Sequence, residues 1–421
     1  MNSIVVKEFD ILNEAYLSAK TGDSSLFKDL ISFVEEYNAV NQEEDAYSFM
    51  SISKNRQYGE HITFKNYVGV IEIKNKLQIE VLPKIDMVDD ISETKKIFTN
   101  MLRSMKDFNG KLFNISSLNV DKMNIYEIFI SFYLQEVLNL VKHGLKSDYI
   151  NTQDDLNVLK GKLIIKDQIR KNNLHKERFM VSFDEYSQNR VENRIIKATL
   201  LKLLKLSSNE GNKKLNRQLL SYFENVDAST NYDADFNHVV ITRANKDYDL
   251  LMKWSKVFLK NKSFTTFSGE EQSRALLFPM EKLFESYVAK YVKRIFNEYY
   301  VTSQDKGYYL FSEPSRKFAL RPDIVIKDNS GSTIIMDTKW KKLNANSRAN
   351  YGISQSDMYQ MYAYAKKYNT NEIWLLYPQS LEMKNHHSIE FKSNDGVKVN
   401  VYFIDLKNIE ESLNCLLLKI Y

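Results

Sequence analysis

The sequence predicts an α+β N-terminal region followed by a mixed α/β C-terminal domain, and three observations support this. The length of 421 residues exceeds that of one ordinary domain. Strand-like and helical segments alternate irregularly in the first part, whereas the last part runs helix, strand, strand, strand, helix, strand. We therefore expect domains at 1–150 and 266–421, joined by a mostly helical connector over 151–265.

The composition predicts a soluble globular protein with little disorder. Hydrophobic residues make up 43% and charged residues 27%, and 12 Gly and 5 Pro leave little room for flexible linkers. The net charge of +5 tolerates a polyanionic partner but does not demand one. No leader-like segment and no apolar run of bilayer length is present, so a cytoplasmic protein without membrane contact is expected. Cys415, within an apolar run, is expected to be buried.

In the N-terminal region, a strand over 4–9 and a helix over 26–40 precede a clear hairpin. Val68, Val70 and Ile71 precede a polar turn at 74–76, the apolar residues of 77–81 follow it with period two, and Pro83 ends the hairpin. Helical spacing of apolar residues follows, clearest over 125–145.

Within the connector, the segments 159–169 and 178–189 interrupt the helices. The densest basic stretch, 160–178, lies here. It fits a solvated surface or a phosphate-binding surface, and the sequence leaves both open.

The C-terminal domain begins with a long helix just after Pro279. Its apolar residues come in adjacent pairs every four positions and form one buried stripe. Glu281 and Glu285 lie one helical turn apart on a neighbouring face.

A hairpin with charged residues at its open end follows this helix. Asp323 opens one strand, a turn over 328–331 reverses the chain, and the returning strand carries Asp337 and Lys339 on one face. The two aspartates are 14 positions apart (337 − 323), so the hairpin can bring both to one ion.

This set of residues predicts a PD-(D/E)xK-type site for cutting phosphodiesters. Carboxylate oxygens suit Mg²⁺, with Mn²⁺ as a substitute, and such an ion activates water and neutralises charge on phosphate. Lys339 would stabilise the transition state or orient the attacking water. Thr338 is expected to offer only its backbone carbonyl.

Two neighbouring helices supply further candidates. Glu285, preferred over Glu281, would be a third metal-binding carboxylate. On the helix after the hairpin, Gln360 and Tyr364 share one face that would reach the site, and Asp357 would join them.

The alternative interpretation is that these are ordinary charged residues at strand ends. The order of acidic helix, Pro-Asp, hairpin, Asp-x-Lys and Gln-x-x-x-Tyr helix favours a site. The six histidines show no zinc-site spacing, and no phosphate-binding loop is present, so this chain is expected to bind no nucleotide.

The chain resembles the McrC family, the nuclease subunit of McrBC-type modification-dependent restriction systems, in segments spread over most of its length. Those of the C-terminal domain are RPDIVI, IIMDTKWK, FPMEKLFESYV and QMYAY; those upstream are YVGVI, IEVLPKI, LKGKL and FDEYSQNRVENRIIK. The Gln-x-x-x-Tyr pattern is also similar to that of RecB-like nucleases.

The resemblance implies a restriction-endonuclease-like PD-(D/E)xK domain that cuts DNA only together with McrB, a GTP-hydrolysing AAA+ hexamer that recognises modified cytosine such as 5-methylcytosine. The N-terminal half would dock into that ring and stimulate its GTPase, and the system would act in phage defence. Asp323, Asp337 and Lys339 match the catalytic motif. Trp340 stands where Tyr is more usual and is expected to face the core.

Two other functions remain open. The chain would be an autonomous nuclease if no GTPase partner exists, or a non-cutting activator and scaffold of an AAA+ motor if its site has decayed. The complete trio of Asp323, Asp337 and Lys339 favours the enzyme.

Overall fold

A computed structural model describes residues 2–40, 50–73, 76–105, 123–260, 274–328, 331–386 and 388–420. The first part contains β1 (Asn2–Lys7), β2 (Ile11–Asn13), α1 (Glu14–Thr21), α2 (Ser25–Val40), β3 (Met50–Asn55), β4 (Gly59–Phe64), β5 (Tyr67–Ile73), β6 (Leu77–Leu82) and α3 (Ile91–Leu102). The middle part contains α4 (Ile125–His143), β7 (Asp148–Leu156), β8 (Lys162–Leu163), α5 (Ile165–Lys171), β9 (Phe179–Ser187), α6 (Val191–Leu206), α7 (Glu210–Tyr222), α8 (Tyr232–His238) and α9 (Asp249–Lys260). The last part contains β10 (Arg274–Pro279), α10 (Met280–Ile295), β11 (Tyr300–Ser303), β12 (Tyr309–Phe311), β13 (Lys317–Ala319), β14 (Ile324–Lys327), β15 (Thr333–Thr338), α11 (Gln355–Tyr368), β16 (Glu372–Pro378), β17 (Ser388–Lys392), β18 (Lys398–Ile404) and α12 (Ile409–Ile420).

These elements form two compact units whose limits differ from the predicted domains. The first unit combines 1–122 with 264–421, and the second consists of 123–263. Helix α4, placed in the N-terminal domain by the sequence, belongs to the second unit. The predicted boundary at 265/266 lies outside the described residues.

A four-stranded sheet in the first unit explains why the two ends of the chain belong together. Its order is β1-β6-β5-β10, with β1 parallel to β6 and the other pairs antiparallel. The β5–β6 hairpin is the predicted one, whereas β10 comes from the last part of the chain. Gly69 lets β10 approach, because a Cβ there would lie 2.0 Å from the Leu276 carbonyl oxygen.

The first unit also holds a six-stranded mixed sheet of order β11-β14-β15-β16-β18-β17. Helix α10 buries Leu283, Phe284, Tyr287, Val288 and Val292, which confirms the predicted apolar stripe. Strand β15 is central and lies antiparallel to β14 and parallel to β16. A three-stranded sheet, β2-β4-β3, and the pair β12-β13 complete this unit's sheets among the described residues.

The second unit packs helices α4, α6, α7 and α9 together and adds the sheet β7-β9-β8. Buried polar side chains join its elements. Asn193 donates from Nδ2 to the Lys146 and Gln188 carbonyls and accepts the Tyr248 hydroxyl, while Glu127 accepts from Asn212 at 2.7 Å. Asn193 lies in the segment 183–197, which carries part of the family resemblance. This residue of the segment therefore has a structural role.

Cys415 is exposed, so the prediction of a buried thiol was wrong. The buried positions of α12 are Ile409, Leu413 and Leu416, and Cys415 lies beside that stripe rather than in it. Across the described residues, no helix has both the length and the apolar character needed to cross a bilayer.

Candidate active site

The β14–β15 hairpin brings the two predicted aspartates to one end of the six-stranded sheet. Ile324 pairs with Met336, so Asp323, just before β14, lies level with the end of β15 where Asp337 is found. This register is the one the sequence spacing predicts.

Thr338 fixes the orientation of Asp323. Its backbone N–H and its hydroxyl both donate to Oδ2 of Asp323, at 2.7 Å and 2.6 Å. The expectation that Thr338 offers only a carbonyl was therefore incomplete, because its side chain holds one of the carboxylates.

Asp337 is the more buried carboxylate, with 1% of its surface exposed. Its Oδ2 lies 2.7 Å from Nζ of Lys339. Burial, followed by the negative charge of Asp323, raises the pKa of Asp337 to about 7 in spite of that ion pair. Burial also raises the pKa of Asp323. The surroundings of these two carboxylates therefore disfavour their ionised forms.

Lys339 is held between Asp337 and helix α11. Its Nζ donates to Oε1 of Gln360 at 3.1 Å, and Nε2 of Gln360 donates to the Tyr364 hydroxyl at 2.7 Å. Burial lowers the pKa of Lys339, but the charges of Asp337, Asp323 and Asp357 outweigh it and the net pKa is raised. The lysine is therefore a cation, and the structure brings Gln360, Tyr364 and Asp357 to it.

The two glutamates of α10 have different surroundings. Oε1 of Glu285 accepts from Nε2 of Gln304 at 2.8 Å, and the charge of Glu285 acts on Asp337. Glu281 is exposed. Glu285 is thus the glutamate whose charge reaches the aspartate pair.

The donor set suits a hard divalent cation. The partly buried Asp323 and the buried Asp337 repel each other, and a cation between such groups would remove that repulsion. Within the described ranges, no group of three or more His, Cys, Asp or Glu side chains is arranged to hold a metal. The fit to Mg²⁺ consequently rests on the two aspartates, and Glu285 as a third ligand stays a prediction.

Glu8 connects the N-terminal sheet to the segment that follows Lys339. Its side chain is fully buried, and Oε2 accepts from Nε1 of Trp340 at 3.1 Å and from the Lys84 backbone N–H at 3.2 Å. Trp340 also packs its ring against Phe284, with ring centroids 5.5 Å apart, and faces the core as expected.

We expect Glu8 to make folding stability depend on pH. Burial raises the pKa of Glu8 from 4.5 to about 8, so folding takes up a proton between these values. The free energy of unfolding should therefore fall as the pH rises through this window, by on the order of 5 kcal/mol. Glu8→Gln, which cannot ionise, should flatten that dependence in unfolding measurements at pH 5 and pH 9.

The matched control is Glu60→Gln, an exposed change on β4 that should keep the wild-type pH dependence. Equal pH dependence in wild type and Glu8→Gln would contradict the expectation.

Comparison with known proteins places the chain in a family. The sequence model of the family described as McrBC 5-methylcytosine restriction system component matches residues 62–378, which is more than half of the chain. The chain belongs to this McrBC family. The predicted family membership is thereby confirmed.

Solved structures agree with the McrBC assignment at the level of the fold. One is a chain from the refined half-complex of the tetradecameric assembly of Thermococcus gammatolerans McrB AAA+ hexamers with bound McrC. It is 20% identical, with a TM-score of 0.70, over 98% of this chain and 100% of that one. Another is a chain from the cryo-EM structure of the Thermococcus gammatolerans McrBC complex. It is 21% identical, with a TM-score of 0.51, and the match covers 70% of this chain and 88% of that one. No curated protein matches.

Three side chains in and around this candidate site were not predicted from the sequence. They are the Thr338 side chain, Gln304 and Glu8. The hydrogen bond from the Thr338 hydroxyl could have been predicted from the sequence, because a hydroxyl beside two carboxylates can donate to one of them. Gln304 and Glu8 carry no local sequence signal, because Gln304 reaches Glu285 and Glu8 reaches Trp340 only through tertiary contacts.

Proposed function

We propose that the chain is the metal-dependent endonuclease subunit of a McrBC-like restriction complex, with a PD-(D/E)xK site in its C-terminal part. The observation that carries this proposal is the placement of Asp323 beside the buried Asp337, which is ion-paired with Lys339, at one strand end. The reaction that we assign to this site is the hydrolysis of DNA phosphodiesters. The two carboxylates can bind Mg²⁺, and the ion and the lysine together can stabilise a charged phosphate.

In this mechanism, Asp323 and Asp337 would hold Mg²⁺, with Glu285 completing the acidic set. The ion would supply a Lewis acid that lowers the pKa of water and neutralises phosphate charge. Thr338 keeps Asp323 in one orientation through its two hydrogen bonds. Lys339 presents its ammonium group to the scissile phosphate, and Gln360 holds that group in place.

The proposal includes a McrB-like AAA+ hexamer as partner, whose GTPase the chain stimulates. The second unit offers a surface for it. Large apolar side chains stand more than half exposed here, and we call them the 149–186 surface: Tyr149, Val158, Leu159, Ile165, Ile169, Leu174 and Tyr186. Because β7, β8 and α5 all pack against β9, these exposed apolar residues lie on neighbouring elements, which favours an interaction site. Basic residues of the 160–178 stretch lie among them and would face acidic groups of the ring.

Leu174→Asp tests this docking surface. Leu174 is 90% exposed, so the change should not affect folding. A charge at a desolvated contact should lower the affinity for the ring about tenfold or more, and the chain concentration needed for half-maximal GTPase stimulation should rise equally. Leu418→Asp, at an 81% exposed position on α12, is the control and should behave as wild type. Unchanged stimulation by Leu174→Asp would exclude this residue from the interface.

The nuclease function is tested with cytosine-methylated and unmethylated plasmid, with Mg²⁺, in the presence and absence of the AAA+ partner and GTP. We expect cutting only of methylated DNA and only with both partner and GTP. Cutting without the partner would favour the autonomous nuclease. GTPase stimulation without any cutting would favour the activator and scaffold.

A further inference from the structure

A cavity of about 870 Å³ opens directly beside the candidate active site in the first unit. Its lining comes from both parts of the first unit: Phe9, Asn66 and Lys84 from the first part of the chain, and Lys339, Trp340 and Lys341 from the segment that follows β15. Lys339 belongs both to the carboxylate cluster and to the cavity. A ligand in the cavity would therefore contact the group that faces the reacting phosphate.

Phe9 stands in this cavity in an unusual conformation. The side chain is 47% exposed, and the backbone φ is +64°, a left-handed value that is rare for a bulky residue. A tight turn enforces it, because the Lys7 N–H donates to Oδ2 of Asp10 at 2.8 Å and the Phe9 N–H donates to the Phe64 carbonyl at 2.9 Å. Such strain persists where the surroundings impose it, and it gathers at functional sites.

The neighbouring Glu8 anchors this turn to the cavity wall. Its buried carboxyl group accepts from Trp340 and from the Lys84 backbone, so the positions of Phe9, Lys84 and Trp340 are fixed together. The exposed ring thus lies on a rigid support. A rigid exposed ring is what stacking on a planar ligand needs.

Among the charged residues that line the cavity, Lys84 and Lys341 are available to bind a phosphate. Asp86 is paired with Lys342 at 2.7 Å. Another acidic lining residue, Asp357, acts electrostatically on Lys339. Lys84 and Lys341 are exposed, and neither forms an ion pair within the part of the chain that the structure describes. The remaining acidic lining residue is the exposed Glu281.

We infer that this cavity is a nucleotide subsite, in which Phe9 stacks on a base of the DNA strand next to the scissile bond and Lys84 and Lys341 bind the flanking phosphates. The cavity has the size of a pocket for a ligand as large as a nucleotide. An aromatic platform combined with cationic side chains is the chemistry that recognises an unpaired nucleotide strand without regard to sequence. This inference rests on the proposed nuclease function and adds the N-terminal segment to the substrate contacts.

The first experiment measures cleavage kinetics in the full complex with the AAA+ partner, GTP and Mg²⁺. Phe9→Ala should raise the KM for DNA about tenfold and leave kcat within about twofold, and Phe9→Tyr should restore the wild-type KM. Phe318→Ala is the matched control, because Phe318 is also exposed with a positive φ of 56° but does not line the cavity. Wild-type KM in Phe9→Ala would overturn the inference.

The two lysines are tested through the salt dependence of DNA binding. The double variant Lys84→Ala/Lys341→Ala should reduce the slope of log K against log salt by about 1.5 to 2. Lys327→Ala, an exposed change at the far end of β14 from Asp323, should leave the slope unchanged. An unchanged slope in the double variant would refute the phosphate contacts.

A third measurement needs no cleavage and so separates this inference from the nuclease proposal. In an Asp337→Ala background, oligonucleotides carrying 5-iodouracil are photocrosslinked to the complex, and the attached residue is identified by mass spectrometry. Attachment at Phe9 supports the subsite even if wild type proves unable to cut. Attachment elsewhere, with none at Phe9 from any position of the probe, overturns it even if wild type cuts.

Discussion

Asp337→Ala should abolish DNA cleavage by the complex, with a fall in rate of about a thousandfold or more. The variant removes the buried carboxylate that lies beside Asp323 and pairs with Lys339 at 2.7 Å, so both the metal-binding pair and the ion pair of the lysine are lost. GTPase stimulation should persist, since it is assigned to the second unit. The measurement is plasmid cleavage and GTP hydrolysis in the same reactions.

Two further variants separate a chemical role of Asp337 from a structural one. Asp337→Asn keeps the shape but not the charge, and it should be as inactive as Asp337→Ala. Since the folded protein disfavours the charge of Asp337, its melting temperature should not fall at neutral pH. Glu390→Ala, an exposed change on the edge strand β17, should cut as wild type. Substantial cleavage by either Asp337 variant would remove this residue from the mechanism.

Gly69→Ala should destabilise the first unit by about 3 kcal/mol or more. The added Cβ would lie 2.0 Å from the Leu276 carbonyl oxygen, and the backbone φ of +142° is unfavourable for any other residue. Strand β10 would have to move away from β5. Because β10 leads directly into α10, DNA cleavage should fall together with stability. Thermal unfolding and cleavage at a fixed temperature measure the two effects.

The control for this effect is Gly59→Ala. Gly59 has a φ of +66° as well, but a Cβ there would meet nothing within 4 Å. Its substitution should therefore show only the backbone penalty, of about 1 kcal/mol. Equal losses in the two variants would mean that the close approach of β10 to Gly69 contributes nothing.

Local patterns explain what could be predicted from the sequence. The β5–β6 and β14–β15 hairpins are encoded by apolar strand segments on either side of short polar turns, and the second hairpin alone brings Asp323 to Asp337. The stripe of α10 likewise follows from four-residue spacing.

Contacts between distant segments explain which features could not be predicted from the sequence. No local pattern indicates that β10 pairs with β5, that β18 lies between β16 and β17, or that Glu8 accepts a hydrogen bond from Trp340. The two compact units divide the chain differently from the expected domains for the same reason, since periodicity identifies elements but not which distant elements pair. Cys415 was misjudged because an apolar run on a helix has an exposed side as well.

The position of β10 also has a consequence for the order of events on the ribosome. Strand β5 is made early, but its partner on one edge appears only after the whole second unit has been synthesised. Until then the nascent chain carries an open edge of apolar β-structure, which is the kind of edge that pairs with other chains. Release of an incomplete chain, or cleavage within the second unit before β10 emerges, is therefore expected to produce aggregates rather than a functional fragment.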